Sequence, residues 1–272
     1  MQALQRMTPA QRTTRQRKKY RELIGIAEAV VASARHGLRD THKVRLIDPV
    51  AQSAAEELRR QIEHYCGLGE RVIDQARRRV LLGEQVPNAE KIYSIFEPHT
   101  DLIKRGKVLT PVEFGHKVLL AESAQGLITQ YDVLNGNPSD SDHVEASLSR
   151  HRAMFGSAPQ VYSSDRGFFS EENLATCLRS GVEMACIPQS GGTKSAEREA
   201  HEKSPVFKKA QRFRAGIEGR ISVLFRGRGM KRCLAEGRER FELLIGAAVL
   251  ANNLLTIASL MQKRSTGRRR AA

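Results

Sequence analysis

Residues 161–170 read VYSSDRGFFS and continue with EEN at 171–173. Gln160 to Ser164 is a short strand-like run. Asp165 closes it, Gly167 lies in the following turn, and Ser170-Glu171-Glu172 has the form of a helix start, an N-cap followed by acids in the first turn. In an open sheet the carboxyl ends of strands line the crevice where ligands bind. That rule makes Asp165 a candidate for chemistry. The plainer role for the same residue is to cap the turn.

Working outward, 171–179 reads as a helix ending at Ser180-Gly181, and 184–187 as a further strand. Upstream, Val144, Leu148, His151 and Met154 fall on one face of a helix over 142–155. Before it come three strand-like runs, 92–96, 114–121 and 127–134, the last ended by Asn135-Gly136-Asn137-Pro138. Downstream, 189–205 is rich in Ser, Gly and Lys and predicts a mobile loop. Helices follow at 206–226 and 236–263, then a basic tail predicted to be disordered. The order strand, strand, strand, helix, strand, helix, strand, helix predicts an α/β domain over 87–262. It matches an RNase H-like mixed sheet with flanking helices.

Residues 1–86 predict something different, a basic helical hairpin. Thr8-Pro9 and Asp48-Pro49 are both N-cap and first-turn proline signals. Tyr20, Leu23, Ala27, Val30, Ala34 and Leu38 form one apolar stripe. Val50, Ala54, Leu58, Ile62, Tyr65, Val72, Ala76 and Val80 form the other, with a kink expected at Gly67 and Gly69. Both stripes are thin and alanine-rich, so the hairpin is expected to need cover from elsewhere. The cluster Arg12, Arg15, Arg17, Lys18, Lys19 and Arg21 suits a solvated face as well as it suits DNA.

Lys and Arg outnumber Asp and Glu by 45 to 30 in the 272 residues, a net charge of +15. A surplus of this size favours a polyanionic partner. The most apolar run, 243–251, is short of the ~20 residues of a spanning helix, which favours nucleic acid over membrane. The N-terminus shows no secretory signal. The four cysteines at 66, 177, 186 and 233 lack metal-ligand spacing and read as reduced thiols. No pair of histidines has zinc-site spacing.

A second chemical signal is RFRAGIEGR at 212–220. Phe213, Ile217, Ile221 and Leu224 predict the buried stripe of this helix, with Arg214 and Glu218 on the adjoining face. Between Lys208 and Arg232 there are nine Lys or Arg residues, and Glu218 is the only acid. A lone carboxylate in so positive a field stays ionised and suits a divalent cation. The plainer reading is an i,i+4 salt bridge to Arg214. Gly216 and Gly219 count against it, because each weakens an exposed helix by about 1 kcal/mol.

Taken together, FEPHTDLIKRGK (96–107), FGHKVLLAES (114–123), SSDRGFFSEEN (163–173) and RFRAGIEGRISVLFRGRG (212–229) resemble the DDE transposases of bacterial insertion sequences. Within them the resemblance is to the ISNCY-type group, and it extends back through residues 5–31. It implies that Asp165 is the second catalytic Asp and Glu218 the catalytic Glu, both metal ligands, with Arg214 as companion. It implies DNA contacts from Arg214, Arg220, Arg226, Arg228, Lys231 and Arg232. The sequence departs from the family signature at Gln211, where a Tyr is usual, and at Phe225, where a Lys is usual and Arg226 stands next. The family's first Asp has no counterpart motif here. The chain is therefore expected to be a C-terminal portion, truncated and incomplete as a catalyst; in-chain substitutes would be Asp101 or Glu97, near the end of the first strand-like run, but neither sits in the family's first motif.

The resemblance further implies Mg²⁺ or Mn²⁺ as cofactor, in-line strand cleavage and strand transfer, and double-stranded DNA (element ends and target) as partner. It also implies a homodimer or multimer in the bacterial cytoplasm, associated with the nucleoid. The rival class is a non-catalytic DNA-binding fragment or regulator of a full-length transposase. An RNA-binding protein is disfavoured, because aromatics are only 5% of the chain and no aromatic RNA-binding strand motif is present.

Overall fold

The computed structural model describes residues 8–104, 112–230, 233–234 and 236–271, with backbone alone for 264–271. The chain forms two compact units, Met1–Leu102 and Ile103–Ala272, and each is considered by itself.

The first unit is built on α1 (Pro9–Thr41) and α2 (Pro49–Ala76). Both begin at the expected proline. Thr8 and Gln11 form a capping box, and the Asp48 carboxylate accepts from the N–H groups of Val50 and Ala51. The helices run antiparallel. Arg59 reaches the carbonyls of Thr41 and Val44, Arg35 forks onto Glu70 at 2.6 and 2.9 Å, and Arg77 pairs with Glu28. Helix α2 runs without interruption through Gly67 and Gly69. A Cβ on Gly69 would stand 3.1 Å from Val31 Cγ2, so α1 passes close to this glycine. The irregularity comes later, as a π-helical turn over Arg77–Leu82 ended by Gly83 at φ +78°.

Packing also decides which apolar line faces inward. Ile24, Leu38, Cys66, Leu68 and Ile73 are buried, while Leu23, Val30, Val50, Leu58 and Ile62 of the expected stripes are exposed. Leu23-Ile24, Val30-Val31, Tyr65-Cys66 and Val72-Ile73 are adjacent apolar pairs. The periodicity fits either member of each pair equally well, and packing chose the second.

In the second unit the strands are short and fall into three two-stranded sheets rather than one mixed sheet: β1 (Asp101–Lys104) with β2 (Val112–Gly115), β3 (Val118–Glu122) with β4 (Ile128–Val133), and β5 (Val161–Ser163) with β6 (Met184–Cys186). The run 92–96 is not a strand, and the run 114–121 divides between β2 and β3. β3 and β4 are antiparallel with a register shift between Ala121 and Glu122, whereas β5 and β6 are parallel. A single mixed sheet would need a strand joining the hairpin to the parallel pair, and the described residues supply none.

The helices of this unit are α3 (Val144–Phe155), α4 (Glu171–Arg179), α5 (Ala196–Lys203), α6 (Pro205–Ala215), α7 (Ile217–Gly227) and α8 (Arg238–Ala271). Two apolar clusters result. One joins Ile128, Val133, Leu224, Ile245 and Val249, and thus packs α7 and α8 on the β3–β4 hairpin. The other joins Val144, Leu148, Cys177, Val182 and Ile187 around the β5–α4–β6 unit. Burial in that second cluster pushes the thiols of Cys177 and Cys186 up to about 11, so both stay protonated and inert at neutral pH.

Helix α8 passes Lys263, where the sequence periodicity ends, and its Arg238–Lys263 stretch is long and apolar enough to cross a membrane by length and composition. Here Ile245, Ala248, Val249 and Asn252 are buried, and the Asn253 amide pairs with both backbone groups of Ile128.

The segment 189–205 is more structured than its composition predicts. Glu202 anchors it. Its carboxylate accepts from Gln189 N at 2.9 Å and meets Lys194 at 2.5 Å and Arg198 at 3.0 Å, while Arg198 also bonds the Ile187 carbonyl. Burial raises the Glu202 pKa, but Lys194, the Gln189 N–H and Arg198 outweigh it and hold the group below its ordinary 4.5. Glu202→Gln should therefore destabilise this unit by about 3 kcal/mol at neutral pH, the cost of breaking a largely buried pair. Because the folded-state pKa is depressed, this contribution is complete above about pH 4.5 and is lost as pH falls through the folded value. Denaturant titrations at pH 7 and pH 3 should show the gap between the two proteins closing at the lower pH.

Candidate active site

Asp165 lies two residues beyond the end of β5, at the mouth of a 3-10 turn spanning Arg166–Phe168. Its Oδ1 accepts from Gly167 N at 2.8 Å, so it does cap the turn, yet its side chain remains half exposed. Gly167 is required by space rather than by backbone angle. A Cβ there would lie 2.8 Å from Asp140 Oδ2 and 3.1 Å from Asp165 Oδ1. Two carboxylates thus flank one glycine. Asp140 was not among the residues singled out from sequence. It opens the 3-10 turn Asp140–His143, seven residues beyond the end of β4. Lys117 holds Asp140 at 2.6 Å and donates to the Pro138 carbonyl at 2.8 Å. The Asn173 amide donates to the carbonyls of Ser141 and Phe168 and so joins the two turns.

Helix α6 is docked over the carboxyl ends of β5 and β6 by one side chain. Gln211 Nε2 lies 3.3 Å from Ser163 Oγ, 3.1 Å from the Ser164 carbonyl and 2.6 Å from the Cys186 carbonyl. The departure from the family signature at this position is therefore a structural anchor. One turn later Arg214 comes within 4.0 Å of Asp165 Oδ2.

The helix expected over 206–226 is two helices, α6 and α7, separated at Gly216. Glu218 is in the first turn of α7. It is exposed and makes no ion pair with a described residue. The plainer reading of the Arg214–Glu218 spacing, an i,i+4 salt bridge, is not what forms: Arg214 faces Asp165 instead. Of the expected buried stripe, Leu224 is 1% exposed, Ile217 and Ile221 are half-buried, and Phe213 is exposed at 37% beneath the Arg220 guanidinium.

The cations differ in their surroundings. Arg220 is paired with Glu122. Arg226 is exposed and has no ion pair with a described residue, while Arg228 is half-buried and donates to the Gly227 carbonyl at 3.0 Å. Lys231 and Arg232 lie outside the described residues. Among the described residues no group of three or more His, Cys, Asp or Glu side chains is placed to hold a metal ion.

The model of the transposase DDE domain matches residues 105–254, more than half of the chain. The chain belongs to the transposase DDE domain family. No curated protein and no solved structure matches it. Membership assigns it to DNA transposition with DNA as substrate, in a family that generally depends on divalent metal. The matched span includes Asp140, Asp165, Gln211, Arg214 and Glu218 and excludes the α1–α2 hairpin. Within the transposase domain, Gln211→Leu should cost about 1–3 kcal/mol, because it leaves the Ser164 and Cys186 carbonyls without their donor. Chemical denaturation measures that loss, and increased amide exchange across 205–215 should accompany it.

Proposed function

We propose that this chain acts in strand cleavage and strand transfer of an ISNCY-type bacterial insertion sequence, as the RNase H-like part (87–262) of a transposase, with Asp165 and Glu218 as the metal-binding carboxylates. The observation that carries the reading is local. Within a transposase domain, Asp165 stands at a strand's carboxyl end, and Glu218 is exposed and without an ion pair among the described residues, on the helix following the one that brings Arg214 to Asp165. The chemistry of the donors fits: two carboxylates are hard oxygen ligands of the kind Mg²⁺ and Mn²⁺ take. When bound, the ion supplies Lewis-acid polarisation of phosphate oxygens.

The chain's own residues do the rest. Gln211 holds α6 in register, Arg214 places positive charge beside Asp165, and Arg226, Arg228, Lys231 and Arg232 hold the phosphate backbone without reading sequence. Two carboxylates suffice to hold an ion, but a two-metal displacement calls for ligands on both ions, and no group of three such side chains is placed to hold a metal among the described residues. Binding of metal and DNA is thus expected of this chain, and cleavage by it alone is expected to be slow. A homodimer or larger transposase assembly on the bacterial nucleoid belongs to the same reading.

Two measurements test it. Mn²⁺ titration, followed by the resonance of the free ion, should show one ion bound per chain. Asp165→Asn or Glu218→Gln should weaken binding by about tenfold or more, the range seen even for loss of outer metal-site partners. Duplex DNA binding should fall steeply with salt, and Arg226→Gln with Arg228→Gln should reduce the log–log slope by roughly 2, about 0.9 per phosphate contact. Mn²⁺ binding unchanged in both carboxylate variants would remove Asp165 and Glu218 from the metal site.

A further inference from the structure

Glu122 is the last residue of β3, and alternation places it on the same side of the hairpin as Val118 and Leu120, which pack against the apolar cluster. Its side chain is only 3% exposed. A carboxylate at a core-facing position is costly unless it is paired. The pairing comes from Arg220 of α7, whose Nε meets Glu122 Oε1 as an ion pair; Nε and both carboxylate oxygens have no hydrogen-bond partner among the described residues. Burial raises the Glu122 pKa, and Arg220 opposes the rise.

Arg220 makes three further contacts, all around the break between α6 and α7. Its Nη2 donates to the Phe213 carbonyl at 3.3 Å, and its guanidinium lies 4.8 Å from the centroid of the Phe213 ring. A Cβ on Gly216 would stand 3.2 Å from Arg220 Nη1 and 3.1 Å from the Phe213 carbonyl oxygen. Gly216 thus leaves room for the arginine to fold back over the junction. The only buried residue of α7 is Leu224, a full turn beyond Arg220. The Arg220 side chain ties the first turn of α7, which carries Glu218, to the β3–β4 hairpin.

We propose that Arg220 is a positioning residue and not a phosphate contact: paired with Glu122 and laid across Gly216 and Phe213, it fixes the start of α7 and so the placement of Glu218. This rests on the reading of Glu218 as a metal ligand, and it changes the role that sequence resemblance implies for Arg220. An arginine that serves DNA gains by pointing into solvent. This one has its guanidinium over a ring, across a glycine and against a buried carboxylate, which are the contacts of an arginine holding two elements together.

The test compares Arg220→Gln, Arg220→Lys, Glu122→Gln, the double variant Glu122→Gln/Arg220→Gln and Gly216→Ala with the wild-type 272-residue chain. Circular dichroism first establishes that each is folded. Positioning predicts that Arg220→Gln leaves the salt slope of DNA binding at the wild-type value, in contrast to Arg226→Gln and Arg228→Gln. It also predicts a loss of Mn²⁺ affinity of about tenfold to a hundredfold, a partial loss with lysine, and a double variant no worse than the worse single one, as for partners in one interaction. Gly216→Ala should move in the same direction by crowding the guanidinium.

If Arg220→Gln does not fold, the apolar exchange Glu122→Leu/Arg220→Met takes its place, because it leaves no buried charge unpaired. A drop of about one unit in salt slope on Arg220→Gln, or unchanged Mn²⁺ affinity in a folded Arg220→Gln chain whose wild type loses affinity on Glu218→Gln, would overturn the proposal. If Glu218→Gln itself leaves Mn²⁺ binding untouched, the metal reading fails separately. The positioning claim is then decided by the salt slope and by amide exchange over 216–220, which must accelerate on Arg220→Gln for the claim to stand.

Discussion

The arrangement around Asp165 depends on one side-chain amide. Parallel strands end in carbonyl groups that have no further ladder partner, and a helix packed over those ends has to supply donors or leave the carbonyls unpaired. Gln211 supplies them, spanning Ser164 on the β5 side and Cys186 at the end of β6. Because the amide bridges both strands, α6 has a defined rotation as well as a defined place. One turn along that same face Arg214 arrives beside Asp165. An apolar residue at 211 would also dock the helix, but with no directional bond to set its rotation.

The second unit is organised around two apolar clusters, and the polar contacts between the elements that carry them link the clusters. Gln130 on β4 exchanges hydrogen bonds with Ser147 on α3, and Arg150 reaches Asp132 at 2.8 Å. The β3–β4 hairpin has α7 and α8 on its core side and α3 bound to it through these polar groups. Glu122 belongs to the core side, where its charge is tolerated because Arg220 comes to meet it. Asp165 and Asp140, by contrast, lie on turns beyond strand ends, where solvent and Lys117 or Arg214 are within reach. Glu122 is thus buried and committed to an arginine, whereas Asp165 and Asp140 are accessible.

Much of the site was legible in the sequence for a reason of local geometry. A strand ending in Asp-Arg-Gly and followed by Ser-Glu-Glu leaves few alternatives to a strand, a turn and a capped helix, and α4 runs over Glu171–Arg179 as the sequence predicts. Asp140 escaped notice because its turn lies among Ser, Asn and Pro residues that any loop contains. Its relation to Asp165 exists only across Gly167, 27 positions away in sequence. The role of Gln211 escaped for a similar reason: its acceptors are carbonyls, which no sequence pattern marks.

The sequence by itself determined the elements whose signals lie within a few residues of one another: both helix starts at Thr8-Pro9 and Asp48-Pro49, the hairpin, the β5–α4–β6 succession, the basic surplus and the family. Tertiary structure alone decided which of two adjacent apolar residues faces inward in α1 and α2, where Ile24 is buried and Leu23 exposed. It also decided that Gly216 separates two helices and that Glu202 orders a segment of loop-like composition. Finally, it divided the arginines of 208–232 between Arg226 in solvent and Arg220 against a carboxylate 98 positions upstream. Periodicity is a property of one element, and it sets how many faces that element can bury. The choice among those faces, and the partner of any charge on them, is made by the element that packs against it.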